Sequence, residues 1–584
     1  MRRFAFLTRC RQRLTLNAMY IGIFLGVFFV FNAWWIWNYR SNQPLNIDEA
    51  GYLCLAVIDY YGLHYGWLNG WLHAISMPSL QAPLVPALTS LLFGVIGPNI
   101  NFAFVIPLAG AIGCIVAAYD LGIVCRSRWV GWAAAILVAS CPVIIWYSRT
   151  YEFATWAAFT ATMALIAIIR SKNFKNFYWS LVFGASLGLM PLARTMTIAF
   201  VPGMVAAAFW VTITEPSGGR PRFLNLLAGL SFAVFISAWW FIPNGRGVFA
   251  YLLGFGYGAH AGEYGRYVPI LNFRGLLHWT KFTINAELLL PHAIILVFGF
   301  CASIATLVRM ITHSRFADII RNISYSPLIP LLIFCTEATL ALTSTKNIGS
   351  GFIVPIVPAL MVLASTAIFD ISSNRNVRFF CSIVIFMIAL IAVLPNITLH
   401  SSLARARTVN LPLLAGVTIS NGLAPIETYE QNAGYGQDGS TEPVSVRSGH
   451  AWLKLDDRTA INLRNDLGSD SSIAFAFRDV LYNVNTVNLA ALLQSGRAFD
   501  VQQIDPVKTG TSVNGYFKWL QRNRNFCGLL TSSGTEGQFL PAINPIFMKK
   551  AAEQAGFLPI AQWNTPDRQE ITLWKHRAVL PNCP

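Results

Sequence analysis

Apolar runs of about 20 residues recur through the first 398 positions, and polar residues gather in the gaps between them. A helix needs about 20 apolar residues to cross a bilayer core. The pattern predicts eleven spans, near 15–37, 100–123, 129–147, 152–170, 178–193, 196–213, 223–243, 288–309, 325–343, 350–370 and 378–398. One further apolar piece, 83–97, is short and begins with Pro83 and Pro86. Two gaps are long, 38–99 and 244–287. In the first, Ala50, Leu53, Cys54, Val57, Ile58 and Tyr61 recur at helical spacing, which predicts a helix over 47–61 lying along the membrane surface. Asp48, Tyr52 and Asp59 share its other face. The second gap is rich in glycine and aromatics, as in Gly254-Phe255-Gly256-Tyr257-Gly258, and is expected to be a mobile external loop. No Gly-Lys-Ser/Thr follows, so it is not a phosphate loop of the nucleotide-binding kind. Beyond about 400 the runs shorten and Ser, Asn, Gly and Asp rise. Residues 401–445 read as a connector and 446–584 as one soluble α/β domain, with strand patterns at 472–477, 527–531 and 570–575 and helical ones at 485–495 and 545–555.

Composition agrees with a membrane protein. The chain is 55% hydrophobic and 12% charged, with a mean hydropathy of +0.52, where soluble domains carry about 25% charged residues. The net charge of +16 is uneven: 25 basic and 11 acidic residues precede position 399, against 17 and 15 after it. The excess belongs to the membrane part, so a nucleic-acid partner is not needed to explain it. It also orients the chain. With eleven spans and the N-terminus inside, the inner connections carry Arg126/Arg128, Lys172/Lys175, Arg220/Arg222, Arg309/Arg315/Arg321 and Arg375/Arg378. Each is short and basic, the positive-inside pattern. A span at 83–97 would invert them all, so that piece is expected to be juxtamembrane or re-entrant. The C-terminal domain then falls outside, in the periplasm if the membrane is the inner one of a bacterium. The basic start, Met1 to Arg13, leads into a run with no small-residue cleavage site, which reads as an uncleaved first span. Most of the ten cysteines sit in apolar runs as small hydrophobes. Cys527 and Cys583 are the candidate disulfide on the oxidising side.

Carboxylates are scarce, at 26 in 584 residues. That makes Asp48-Glu49, just past the first span, the leading candidate for chemistry. A carboxylate beside an apolar wall can serve as a general base. Asn46 followed by Glu49 also fits a helix capping box, which accounts for Glu49 and leaves Asp48. Arg149, Arg194 and Lys346 stand where spans meet the outside, against the charge trend, and a lipid phosphate at that depth would give each a partner. Glu152, Glu337 and Tyr52 are candidate cavity residues, as are His260 and Glu263. The last two are three apart, but no third ligand stands at a recognisable spacing, so no metal or other cofactor is assigned.

The ordered set of motifs resembles the GT-C membrane glycosyltransferases that use polyprenyl-phosphate sugars, among them protein O-mannosyltransferases, aminoarabinose transferases and lipopolysaccharide-core transferases. The motifs are Ile47-Asp48-Glu49-Ala50, the proline-led Gln81-Ala82-Pro83, Tyr147-Ser148-Arg149, Leu192-Ala193-Arg194-Thr195, and Lys346-Asn347 followed by Pro355-Ile356-Val357-Pro358-Ala359-Leu360. The resemblance covers about residues 15–400. It implies a multi-pass catalytic domain over 1–400 with the site on the external face. It also implies that Asp48 acts as base on the acceptor hydroxyl, with Arg194 and Lys346 holding the lipid phosphate. The partners implied are a polyprenyl-phosphate sugar, a glycan, glycolipid or protein acceptor, and membrane lipids. The chain departs from the family at Glu152, which falls three after Arg149, and at Ile348-Gly349, where the family often has aromatic-Arg-Tyr. Two other classes suit a polytopic chain: a lipid or glycan transporter, and a non-enzymatic scaffold. A transporter needs polar residues along a whole path, whereas here they collect on the external side.

Overall fold

The computed structural model describes the chain except residues 1, 42, 215–218, 263–271, 314–320, 322–323, 348, 373, 398–406, 411–415, 421–448, 469–470, 480, 523–525, 535–542 and 578–584. The membrane part is helical: α1 Arg2–Tyr39, α2 Ile47–Ser76, α3 Leu84–Ile96, α4 Val105–Cys125, α5 Arg128–Ser140, α6 Pro142–Ser148, α7 Ala154–Arg170 and α8 Phe177–Ala193. Then come α9 Val201–Thr214, α10 Gly219–Gly256, α11 Phe273–Phe282, α12 Leu289–His313, α13 Ile329–Thr343, α14 Val357–Asp370 and α15 Arg375–Val393. Among the described residues six helices are long and apolar enough to cross a membrane, or seven if α5 and α6, bent by 61° at their junction, form one span. Pro142 opens α6 and explains the bend, since it cannot continue the hydrogen-bond ladder of α5. Five shorter apolar helices, α3, α7, α8, α13 and the segment ending in α14, pack among them. All eleven expected segments are helical, and 83–97 forms the short α3. Two ion pairs tie neighbouring connections: Arg126 to Asp370 at 2.9 Å and Arg170 to Asp120 at 2.5 Å.

Two expectations need correction. The helix expected over 47–61 runs on to Ser76 with a sharp kink at Trp67, whose backbone is non-helical. The kink folds the helix back so closely that a Cβ on Gly62 would stand 2.7 Å from the Gly70 carbonyl oxygen. Only glycines tolerate that approach. The loop expected over 244–287 is largely helical. α10 continues through Pro243 to Gly256, and Asn244, just after the proline, donates from Nδ2 to the Trp240 carbonyl at 3.0 Å.

The C-terminal domain is built from α16 Gly449–Leu467, β3 Ser472–Phe475, α17 Val484–Ser495, β4 Asp500–Gln503, α18 Val513–Arg522, β5 Phe526–Ser532, α19 Pro545–Gln554, β6 Phe557–Asn564 and β7 Glu570–His576. The sheet order is β4-β3-β5-β7-β6, with β3 parallel to both neighbours and β7 antiparallel to β5 and β6. Strand alternation splits the core in two. Ile473, Phe475, Leu530, Ile571 and Leu573 face α16 and α17. Ala474, Phe526, Leu529 and Trp574 face α18 and α19. Within the expected connector, β1 Arg407–Val409 and β2 Val417–Ser420 form a hairpin. Asn285 ties it to the membrane part, accepting from Thr418 N and donating to Gly416 O, both at 2.9 Å. Cys527 is disulfide-bonded; its expected partner, Cys583, lies outside the described residues.

Candidate active site at the head of α2

Asn46 begins the site by capping α2. Its Oδ1 accepts from Asp48 N at 2.8 Å and Glu49 N at 2.9 Å, and Glu49 Oε2 accepts from Asn46 N at 3.3 Å, completing the capping box. The box divides the acidic pair. Glu49 turns inward and both its oxygens are engaged: Oε2 meets Arg40 Nη2 at 2.7 Å and Oε1 accepts from Tyr151 N at 2.9 Å. It is 1% exposed. Those bonds make it a clamp between α1, α2 and the turn before α7 rather than a free base.

Around Asp48 the structure gathers groups from distant segments. Burial pushes its carboxyl up to about 6, against pulls from Arg194 and then Arg478, with a small push from Glu49. Tyr52 lies one turn further along the same face. Its ring sits 3.8 Å from that of Phe153. Burial holds its hydroxyl well above the usual phenol range, and the charges that act on it are Asp48, Glu152, Tyr251 and Arg194. Asp48, Tyr52, Glu152 and Arg194, expected from sequence, therefore share one locale. Tyr251 and Arg478 join them unforeseen.

Arg194 is placed by a break in the chain. Its extended backbone ends α8 before the turn into α9. Nη1 donates to Gly351 O at 2.7 Å and Nη2 to Ser350 O at 3.3 Å, and the guanidinium lies 5.0 Å from the centre of the Phe352 ring. Neutral carbonyls and a ring hold the group in position without cancelling its charge. The supporting 350–352 turn is fixed in turn by buried Glu287, whose Oε1 accepts from Gly351 N at 2.6 Å. Lys346 lies just upstream, on a segment joined to the end of α10 by Lys346 N to Gly256 O at 2.8 Å and Tyr257 Oη to Ser344 Oγ at 3.1 Å.

Other expected residues are elsewhere. Arg149 is fully buried; it donates to Asn32 Oδ1 at 2.8 Å and Asn396 O at 3.0 Å and lies 4.2 Å from the centre of the Trp35 ring. These contacts tie α1 to the end of α15. Glu337 packs on α9, where a Cβ on Gly203 would stand 2.5 Å from its Oε2. His260 stacks on Phe255 at 5.2 Å and faces Asp505 of the C-terminal domain, with 3.9 Å between Nε2 and Oδ2. Glu263 lies outside the described residues.

The overall fold has solved counterparts. The chain is similar to ArnT from Cupriavidus metallidurans in the apo state, with 12% identity over 96% of this chain and 98% of that one and a TM-score of 0.54. It is similar to the same protein bound to undecaprenyl phosphate, with 13% identity over 94% and 97% and a TM-score of 0.52. The archaeal oligosaccharyltransferase AglB from Archaeoglobus fulgidus, in complex with an inhibitory peptide and a dolichol-phosphate, gives 13% identity over 88% and 69% and a TM-score of 0.51. The chain shares the fold of these proteins. No family model and no curated protein sequence matches it. At this identity the likeness speaks for the fold alone.

Proposed function

We propose that the protein is an inverting glycosyltransferase that moves a sugar from a polyprenyl-phosphate donor to a hydroxyl of a glycan, lipid or protein acceptor on the external face of the membrane. The observation that carries this reading is a carboxyl at the head of α2, Asp48, raised by burial and pulled on by the charge of Arg194, whose guanidinium is oriented by the Ser350 and Gly351 carbonyls. In the reaction the acceptor O–H gives its proton to Asp48. The acceptor oxygen forms a bond to the anomeric carbon, and the bond from that carbon to the phosphate oxygen breaks. Its electron pair leaves with the polyprenyl phosphate. A single displacement inverts the anomeric centre. The leaving group is already a phosphate, so it needs charge stabilisation rather than a proton, and Arg194 with Lys346 supplies it. Binding both substrates beside Asp48 removes much of the remaining barrier. Undecaprenyl phosphate in ArnT and dolichol-phosphate in AglB belong to the ligand class this site is read to take.

The test is sugar transfer by the purified full chain in detergent, with a synthetic polyprenyl-phosphate sugar and membrane glycolipids as acceptors. Release of polyprenyl phosphate matched by a glycosylated product is the expected result. Substrate movement that requires sealed vesicles, with no product formed in detergent, would point to a transporter instead. The sugar and acceptor follow from mass spectrometry of envelope glycans with and without the protein.

Gly351 offers a second check. Its backbone is left-handed, at φ 75°, and a Cβ there would stand 2.5 Å from Tyr147 Oη. Gly351→Ala therefore displaces the carbonyl that orients Arg194. A rise of roughly tenfold or more in donor KM is expected, because a charge-assisted hydrogen bond contributes about 1.5–3 kcal/mol. An unchanged KM would detach Arg194 from the donor.

A further inference from the structure

The C-terminal domain sits directly on the helix that carries Asp48. Asn485, in the first turn of α17, donates from Nδ2 to the Ile47 carbonyl at 2.7 Å, one residue before the acid. Its own carbonyl accepts from Cys54 Sγ at 3.5 Å, and Leu492 O accepts from Tyr61 Oη at 3.4 Å. A Cβ on Gly51 would stand 2.8 Å from Asn485 Nδ2, so the helix presents a glycine where the domain touches down. Leu489 and Leu492 are buried in the same apolar cluster as Ala50, Leu53 and Val57. The junction is continuous packing along one side of α2.

The loop entering α17 is held equally firmly. It leaves β3 at its C-terminal end. Gln503 Nε2 donates to Phe477 O at 3.2 Å on one side of Arg478. On the other side Asp479 Oδ1 accepts from Leu481 N at 2.8 Å and Tyr482 N at 3.0 Å. From β3 the chain passes through α17 to β4 on one flank, and the next crossover brings it to β5 on the other. The carboxyl end of β3 is thus the switch point of the parallel part of the sheet, where α/β sheets hold functional groups. The loop that opens there runs into α17, whose Asn485 is bonded to the carbonyl of Ile47, the residue before Asp48.

We infer that Arg478 is a positioning residue of the active site, supplied by the C-terminal domain to keep the Asp48 carboxylate charged and aimed. The domain thereby completes the site. This rests on the reading of Asp48 as the base. The charged and titratable groups around Asp48 are Glu49, clamped by Arg40; Tyr52; Glu152 before α7; Arg194 after α8; Tyr251 on α10; and Arg478. α3 and α17, which also pack on α2, carry no ionisable side chain. Among the described residues Arg478 is the cation of the C-terminal domain whose charge acts on Asp48, together with Arg194 from the membrane domain.

Arg478→Gln and Arg478→Lys in the full-length protein test this by two readouts. A hydrophobic carbodiimide modifies only protonated carboxyls, so the pH midpoint of Asp48 labelling, mapped by mass spectrometry, reports its charge independently of catalysis. In Arg478→Gln that midpoint is expected to rise by roughly one pH unit, the lower end of what an opposite charge at short range does to a carboxyl. The acid limb of the transfer rate should rise with it, and Arg478→Lys should restore both. A purely structural Arg478 would lower the rate equally at every pH. An unmoved labelling midpoint overturns the inference and leaves the reading of Asp48 intact. A moved midpoint together with full transfer by Asp48→Asn overturns that reading, and with it any catalytic meaning of Arg478.

Discussion

Asp48→Asn is expected to lower sugar transfer by roughly 10²- to 10⁴-fold, the usual contribution of a positioned general base, while the protein stays folded. The amide matches the carboxylate in size and cannot take the acceptor proton. The pH dependence of the unaltered protein should carry the same signature. With its carboxyl raised to about 6, Asp48 is mostly protonated at pH 5 and mostly charged at pH 7. The rate should therefore climb through about pH 6 and level off above it. Stability runs the opposite way. A carboxyl whose folded value exceeds the unfolded one contributes stability below the unfolded value, near 3.8, and loses it as pH rises through about 6. At pH 7 the variant, which buries no charge, should melt no lower than the parent. A variant that melts early would make its inactivity uninformative. One that transfers sugar at the parental rate would remove Asp48 as the base.

How far this could be read in the sequence varies residue by residue. Hydrophobic runs mark the spans because a bilayer demands length, and every expected segment is helical. Asp48 stood out because carboxylates are rare near spans, and Arg194 because it breaks the charge trend. Arg478 had no such signal. In the sequence it is one charge among many in the C-terminal domain, and only the tertiary junction through Asn485 brings its loop to the head of α2. Tyr251 was hidden because it falls in the glycine- and aromatic-rich gap after the expected 223–243 span, whereas the helix continues through Pro243 to Gly256. Arg149 shows the converse. Its position matched a phosphate ligand, but Asn32 and Trp35, a hundred residues upstream, claim it. In the C-terminal domain the missed strands are edges. β4 reads Asp-Val-Gln-Gln, with one apolar residue to mark its alternation, and β6 holds Pro559 and shows mostly exposed positions, so neither gives the apolar/polar alternation of a half-buried strand.

The other large effect is expected at the neighbouring acid, and on stability rather than chemistry. Glu49→Ala removes a carboxylate that meets Arg40 at 2.7 Å, Tyr151 N at 2.9 Å and Asn46 N at 3.3 Å. The side chains of the ion pair are 6% and 2% exposed. Breaking a buried pair from one side costs about 3–5 kcal/mol, because the remaining charge stays buried without its partner. Arg40 would keep its weaker bond to Pro44 O at 3.4 Å and its place 5.5 Å from the centre of the Phe104 ring. The capping box would lose its Glu49 arm as well. Thermal unfolding in detergent should show a clear drop for Glu49→Ala and a similar drop for Arg40→Ala. The double variant should be less destabilised than the sum of the two, since neither charge is then stranded. Any loss of transfer should track the loss of folded protein. If Glu49→Ala melts like the parent and yet transfers no sugar, Glu49 rather than Asp48 is the base, and the division of labour set by the capping box is wrong.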